Sequence, residues 1–386
     1  MMRISNIEVI PVELPLVREH KMAYSRGERI GKFSLIRIET DGGIIGWGEA
    51  PTEINWGGDY GSYYGESQKT TLHIIKDFLE PELKGGDPFQ VEVIHQKMDQ
   101  RVKGYPYAKA AIEMALLDII GKAFEIPVFQ LMSGLFRGEV PIQHSIGLMP
   151  PEDAVREATL VVEEGIRTIK LKIGVDASRD VETVRKVRKA VGPDIQIRVD
   201  GNRGYNSARD AIKVIRKIES FDLLLVEQPV EGLRAMAEVA RNVEVPLMAD
   251  EGVWSSQDVL RIYETGAAEI LNVYITKPGG LIKAKKLVNI ASSFGLVCGV
   301  GGMVELGIGT AANLHFVAST PEITLACGLS VPFPGETAKK GRIACSKYKD
   351  TLEKNPPEFK NGFLKVPRGP GLGIELDEDK IQKYRL

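Results

Sequence analysis

From about residue 139 the chain alternates between short apolar runs and longer amphipathic stretches. The runs are VPIQHSIG (140–147), TIKLKIG (168–174), IQIRVDGN (195–202), LLLVEQP (223–229), PLMADEG (246–252), ILNVYIT (270–276), VCGVGGMVE (297–305) and ITLACGL (323–329). Their length and β-branched content are those of buried strands. Segments such as PEDAVREATLVVEEG, SARDAIKVIRKIE and LIKAKKLVNIASSF separate them and carry apolar residues at helical spacing. Eight strands with helical crossovers predict a parallel sheet, and at that number a closed barrel, with an open doubly wound sheet as the competing architecture. The turn-rich VPFPGETAKKGRIACSKYK follows the eighth run in place of a helix. The expected fold is therefore α/β, a (β/α)7β barrel of the TIM type over 136–330.

Residues 1–135 follow another pattern. SLIRIETDGGIIGWGEA (34–50) predicts a hairpin turning at Asp41-Gly42-Gly43, and NWGGDYGSYYGES (55–67) is a soft loop suited to a lid. PYAKAAIEMALLDIIGKAF (106–124) has helical periodicity and ends near Pro127. This part reads as an α+β capping domain. The tail, 331–386, contains GFLKVPRGPGLGIELDE, extended structure expected to return to the cap and complete it.

Composition narrows the function. A length of 386 residues exceeds what one hydrophobic core usually organises. With 43% hydrophobic and 26% charged residues and a net charge of −2, the chain reads as a soluble globular protein, and a nucleic-acid partner is not expected. No apolar run has the length of a membrane span, and Arg3, Glu8 and Glu13 interrupt any signal-peptide pattern. Cys298, Cys327 and Cys345 are odd in number and lack CxxC spacing, which fits buried thiols in a reducing cytoplasm.

Chemistry in such a barrel gathers at the carboxyl ends of the strands. Those ends carry Lys170 and Lys172, then Asp200 and Asn202, Glu227, Asp250 with Glu251, and Tyr274. One acid at a strand end usually caps a helix; three in succession repel strongly unless a cation sits among them. Oxygen-only ligands favour a hard divalent ion, Mg²⁺ over zinc. Lys170 and Lys172, at i and i+2, both point inward. Crowding two ammonium groups weakens the hold of at least one on its proton, which makes a lysine base. A base, a divalent cation and a second cation suit proton removal next to a carboxylate, through an enediolate.

The motifs TIKLKIG, RVDGN, VEQP, ADE, Gly279-Gly280 and GGMVELGIGTAA, in this order, resemble the enolase superfamily (mandelate racemase/muconate lactonizing enzyme-like) in its muconate-lactonizing-enzyme subgroup; the mandelate-racemase subgroup would want a histidine ending the seventh strand, and GGMVE has none. The resemblance extends to IETDGGIIGWGEA, AAIEMALLDIIGKAFEIPVFQLMSG and GPGLGIELDED, nearly the whole chain. It implies Asp200, Glu227 and Asp250 as Mg²⁺ ligands, Lys172 as acid/base, and Lys170 neutralising a small carboxylate substrate. Asn202, Glu251 and Glu305 are implied as supporting residues, and a dimer or octamer as the assembly. The implied reaction is cycloisomerisation, racemisation or epimerisation. The alternatives are dehydration using one lysine and a non-catalytic carboxylate-binding homologue.

The chain departs from the pattern at one point. The subgroup ends strand six with a lysine five residues before the Gly-Gly pair, and here that residue is Tyr274. Lys277 lies past the strand at an odd step, and the two-residue period predicts that it faces away. A phenol, with an ordinary pKa near 10, could donate a proton, or Tyr274 could be a packed ring. The cap-loop candidates for substrate contact are Tyr24, Arg26, Trp56 and Tyr60, with Cys327 and Ser330 leaving room at the eighth strand. That strand lacks the aspartate pair of dipeptide epimerases. GVGGM and GPGLG read as turns, and His144 and His315 as structural histidines.

Overall fold

The computed structural model describes residues 2–331 and 345–386. Much of the turn-rich passage expected after the eighth run falls on 332–344, outside the described residues.

The cap begins with three antiparallel strands, β1 (Ile4–Met22), β2 (Ser25–Thr40) and β3 (Ile45–Pro51). Alternation sets their faces: Ile10, Val12 and Leu14 are buried, while Pro11 and Glu13 between them are only partly so. The sheet packs on the helix Pro106–Ala123, which is buried along most of its length. Contact is close because β3 presents Gly48. A Cβ there would lie 1.8 Å from the Ala111 carbonyl oxygen, so any larger residue would push the helix away.

After β4 (Glu139–Pro141) come seven parallel strands, hydrogen-bonded in sequence order. They are β5 (Gln143–Ile146), β6 (Thr168–Lys172), β7 (Gln196–Asp200), β8 (Leu223–Glu227), β9 (Leu247–Ala249), β10 (Ile270–Val273) and β11 (Val297–Val300). The eighth run, expected as a strand, is not one. It meets its neighbours through single parallel bridges, Cys298–Ile323 and Ile142–Cys327. Three backbone hydrogen bonds of 2.7–2.9 Å join Cys327 and Gly328 to Pro141, Gln143 and Val300. Ala326 and Gly328 give this segment little strand propensity, yet the contacts bring it between β11 and β5 and so close the ring. Inside, below the rim, Leu225, Met248 and Ile270 form an apolar plug with Leu325.

β12 (Phe359–Lys360) and β13 (Phe363–Lys365) form a small antiparallel sheet with β4. The tail then reaches the cap. Leu372 N donates to Asp118 Oδ1 (2.9 Å), and bridges join Leu16 to Tyr348 and Val12 to Arg385. Among the described residues no helix is long and apolar enough to cross a membrane.

Candidate active site

Inward positions of adjacent strands come together by register. Lys172 pairs with Asp200 across β6 and β7, and Asp200 with Glu227 across β7 and β8. Asp250 follows β9 directly, and Tyr274 follows β10. Lys170, Lys172, Asp200, Asn202, Glu227, Asp250, Glu251 and Tyr274 are all buried.

The ammonium groups bind the acids directly. Lys170 Nζ lies 2.8 Å from Asp200 Oδ2 and 3.0 Å from Glu227 Oε1. Lys172 Nζ donates to Asp200 Oδ2 (2.7 Å) and Asn202 Oδ1 (2.5 Å). Asn272 Nδ2 donates to Glu227 Oε1 (2.8 Å), and the Tyr274 hydroxyl to Asp250 Oδ2 (3.3 Å). Asn202 Nδ2 donates to Glu251 Oε1 (3.2 Å), whose other oxygen is buried without a partner.

Charge coupling follows from this packing. Burial pushes Asp200 upward, but Lys170 and Lys172 outweigh it and hold its pKa below the ordinary carboxylate range. Glu227 is raised, by burial first and then by Asp200. Glu251 is pushed up to about 8, by burial and then by Asp250 and Asp200. Tyr274 is held well above 10, by burial and then by Asp250 and Glu227. These acids therefore feel one another, as carboxylates awaiting a cation do.

A solvent-open cavity of about 750 Å³ lies against Lys170, Lys172, Asn202, Asp250 and Tyr274, with Tyr24 and Trp56 of the cap on its wall. Trp56 packs against the Tyr274 ring, centroids 5.4 Å apart and planes tilted by 38°. Asp200 and Glu227 do not line the space; the Lys170 ammonium covers them.

The two halves of the chain match known families. Residues 6–133 match the model of the mandelate racemase / muconate lactonizing enzyme N-terminal domain, and residues 153–380 the enolase C-terminal domain-like model. The chain belongs to this family. N-succinyl-L-Arg/Lys racemase of Bacillus cereus is 33% identical over 387 residues, covering 100% of this chain and 98% of the relative. The crystal structure of N-succinyl Arg/Lys racemase from that organism has a TM-score of 0.90 at 32% identity, covering 100% and 98% of the two chains. Muconate cycloisomerase 1 of Rhodococcus opacus is 31% identical, covering 99% and 98%. The dipeptide epimerase from Enterococcus faecalis, complexed with Mg and L-Leu-L-Tyr, has a TM-score of 0.86 at 28% identity, covering 97% and 99%. These relatives are isomerases of the enolase superfamily.

Within this family the strand-six segment needs a correction. Lys277 does not face away: its buried Nζ donates to Asp250 Oδ1 (2.7 Å), Asp250 O (2.8 Å) and Asn272 O (2.8 Å). It also stands 4.3 Å above the Tyr274 ring centroid. The two-residue period holds only while the ladder lasts, and β10 ends at Val273. Beyond it the chain turns and carries Lys277 back beneath the site.

Other expected contacts lie elsewhere. Tyr60 is 78% exposed and does not line the cavity. Cys327 is fully buried, pointing at Leu325 O (3.5 Å), although Gly328 and Ser330 beside it do border the space. The Arg26 side chain lies outside the described residues. Glu305 sits directly under Gly302 of the cavity wall, pushed up to about 7 by burial, its Oε1 accepting from Met303 N (2.9 Å). His144 and His315 hold structural bonds, to Glu157 (2.6 Å) and to Leu372 O (3.1 Å).

Five polar cavity residues escaped sequence reasoning: His20, Glu53, Gln143, Ser145 and Lys347. Gln143 and Ser145 were legible, since VPIQHSIG alternates and both share the inward face of β5 with the lysines of β6. His20, Glu53 and Lys347 arrive from the cap and the tail, where no local pattern marks them.

Proposed function

We propose that this enzyme removes the proton α to the carboxylate of a small organic acid and isomerises it, with Mg²⁺ as cofactor. The supporting observation is the pair of inward lysines on β6, paired directly with Asp200 and Glu227 of the next two strands and bordering one cavity together with Asp250. Among the described residues no three acids, histidines or cysteines stand in metal-binding geometry, because lysine ammonium groups lie between the acids. The donor set nevertheless fits a hard divalent ion: oxygen only, buried, mutually repelling, with an unpartnered Glu251 oxygen alongside. Asp200, Glu227 and Asp250 would hold the ion. Bound there, it would offset negative charge growing on the substrate carboxylate.

The chain's own groups do the rest. Lys172 takes the α-proton, oriented by Asp200 and Asn202. Lys170 neutralises the carboxylate. Trp56 and Tyr24 cover the substrate from the cap and keep water out. A second reading, elimination of water from a hydroxy acid, is favoured by Tyr274, since no lysine stands there to serve the opposite face.

The test is α-deuteration of a carboxylate library in D₂O with Mg²⁺, followed by NMR. Exchange should vanish on chelation and in Lys172→Ala with the fold retained. Binding of Mg²⁺ and ligand with no exchange anywhere in the library would support the non-catalytic alternative.

A further inference from the structure

The tail brings a third amine to the substrate space. Lys347 lines the cavity with Lys170 and Lys172, and its Nζ donates to the Ser145 carbonyl at 3.1 Å. Ser145 belongs to β5 and stands opposite Lys170 in the parallel register. The Lys347 ammonium is therefore anchored on the strand next to the one that carries Lys172. Tyr274 follows β10, across the ring: β7, β8 and β9 separate β6 from β10 on one side, and β5, the eighth segment and β11 on the other. A proton given by Lys347 thus reaches the substrate from the Lys172 side, not from the phenol side.

The surroundings leave that proton available. The described residues give Lys347 no carboxylate partner, and Glu157, the acid acting on it, is already engaged by Arg18 (2.8 Å) and His144 (2.6 Å). Burial first, and then Arg18, bring its pKa down to about 7 against the pull of Glu157 and Cys345, with Lys172 adding to the fall. An acid near neutrality gives up its proton readily in a transition state. The neighbours on this wall are less suited. Lys170 is clamped by Asp200 (2.8 Å) and Glu227 (3.0 Å); burial opposes its charge, but these two acids outweigh it and raise its pKa. His20 is held well below its ordinary value, by burial and then by Lys347, and is neutral. Glu53, pushed up to about 7 by burial, is the rival donor, but it comes from the cap and no described barrel residue anchors its carboxyl.

We propose that Lys347 is the acid of a syn β-elimination, donating a proton to the β-hydroxyl of a 3-hydroxy carboxylate on the face from which Lys172 removes the α-proton. This rests on the elimination reading of the site. Lys172, as the free amine, takes the α-proton, and the C–H electron pair passes into the enediolate. That pair then forms the α,β double bond as the C–O bond breaks, its own electrons leaving with oxygen. Lys347 supplies the proton that makes the departing oxygen water, and is left as the neutral amine. Solvent takes the proton from Lys172 and restores the one on Lys347, so nothing is oxidised or reduced.

The experiment separates C–H from C–O cleavage. Wild-type enzyme and Lys347→Met are incubated in D₂O with Mg²⁺ and a panel of 3-hydroxy carboxylates, namely glycerate, threonate, serine and threonine, and followed by NMR. Wild type should dehydrate at least one member. In Lys347→Met, loss of water from that acid should fall about 10²–10⁴-fold while α-deuteration stays within about threefold. The 3-chloro analogue of the same acid supplies the rescue: chloride leaves without a proton, so the variant should expel it within about threefold of the wild-type rate. A merely structural role would slow every readout together, and that result overturns the proposal. Dehydration that persists in Lys347→Met, with Lys172 acting twice, also overturns it, as does a selective loss in Glu53→Gln instead. So does wild-type enzyme that deuterates the panel and dehydrates none of it. If no member is deuterated or dehydrated, the active-site reading itself fails.

Discussion

Replacing Tyr274 by phenylalanine isolates its hydroxyl. That hydroxyl donates to Asp250 Oδ2 at 3.3 Å, long beside the 2.7 Å contact of Lys277 with the other oxygen. Asp250 therefore keeps its charge partner in the variant. The ring is also retained: Trp56 keeps its tilted contact at 5.4 Å, and Gly301, where a Cβ would meet the ring at 2.5 Å, still accommodates it. The lost bond is worth about 0.5–1 kcal/mol, a fall in Tm of roughly 1–3 °C for a chain of this size. The catalytic effect follows from the proton. Burial, and then Asp250 and Glu227, hold the phenol well above 10, so it is neutral and no base near pH 7. Loss of a true general acid costs about 10²–10⁴ in rate. If Tyr274 only packs and steadies Asp250, α-deuteration by Tyr274→Phe, followed by proton NMR in D₂O with Mg²⁺, stays within about tenfold of wild type. A loss beyond about a hundredfold with Tm preserved would refute this and make the phenol the acid of the second face.

Lys277→Met should be far more damaging to stability. It strips three buried acceptors, Asp250 Oδ1, Asp250 O and Asn272 O, of their donor; the expected loss is about 3–5 kcal/mol, and a calorimetric loss under about 1 kcal/mol would show that the pair is not buried as described. His144 gives a pH signature. Burial first, then Lys347, lower its pKa from 6.5 to about 4. A base whose folded pKa is depressed lends its stability above the unfolded value and loses it as pH falls, here between 6.5 and 4, by up to about 3 kcal/mol. His144→Gln should flatten the Tm-versus-pH curve in that window, and an unchanged slope counts against a neutral buried imidazole.

What sequence could and could not reveal divides along one physical line. A repeating strand-helix rhythm exposes every inward position at once, so TIKLKIG, RVDGN, VEQP and ADE located lysines and acids that the register of β6 to β8 then sets side by side. The rhythm fails where the ladder stops. The eighth run has too little strand propensity to pair continuously and survives as two bridges. Lys277 lies four residues beyond Val273, where side chains no longer alternate, and its three acceptors depend on the path of the turn. Lys347 depends on a tail that returns across the whole chain to reach β5 and β1. Cys327, one residue from cavity-lining Gly328, shows how sharply the inward face is defined at the closing seam.

The geometry of the lysines bears on which reaction the site permits. Lys172 borders the cavity and donates only to side chains, Asp200 and Asn202. Lys277 does not line the cavity, and two of its acceptors are backbone carbonyls fixed by the fold. Freeing it for proton transfer would abandon three buried bonds at once. Under the proposed reaction the substrate would meet the cavity-bordering Lys172 on one face and, on the strand-six side, a neutral phenol braced by Lys277 and Trp56. Racemisation requires proton delivery to both faces of the same carbon. Cycloisomerisation or elimination can be completed with a single lysine, and this arrangement favours those reactions over a symmetric two-lysine exchange.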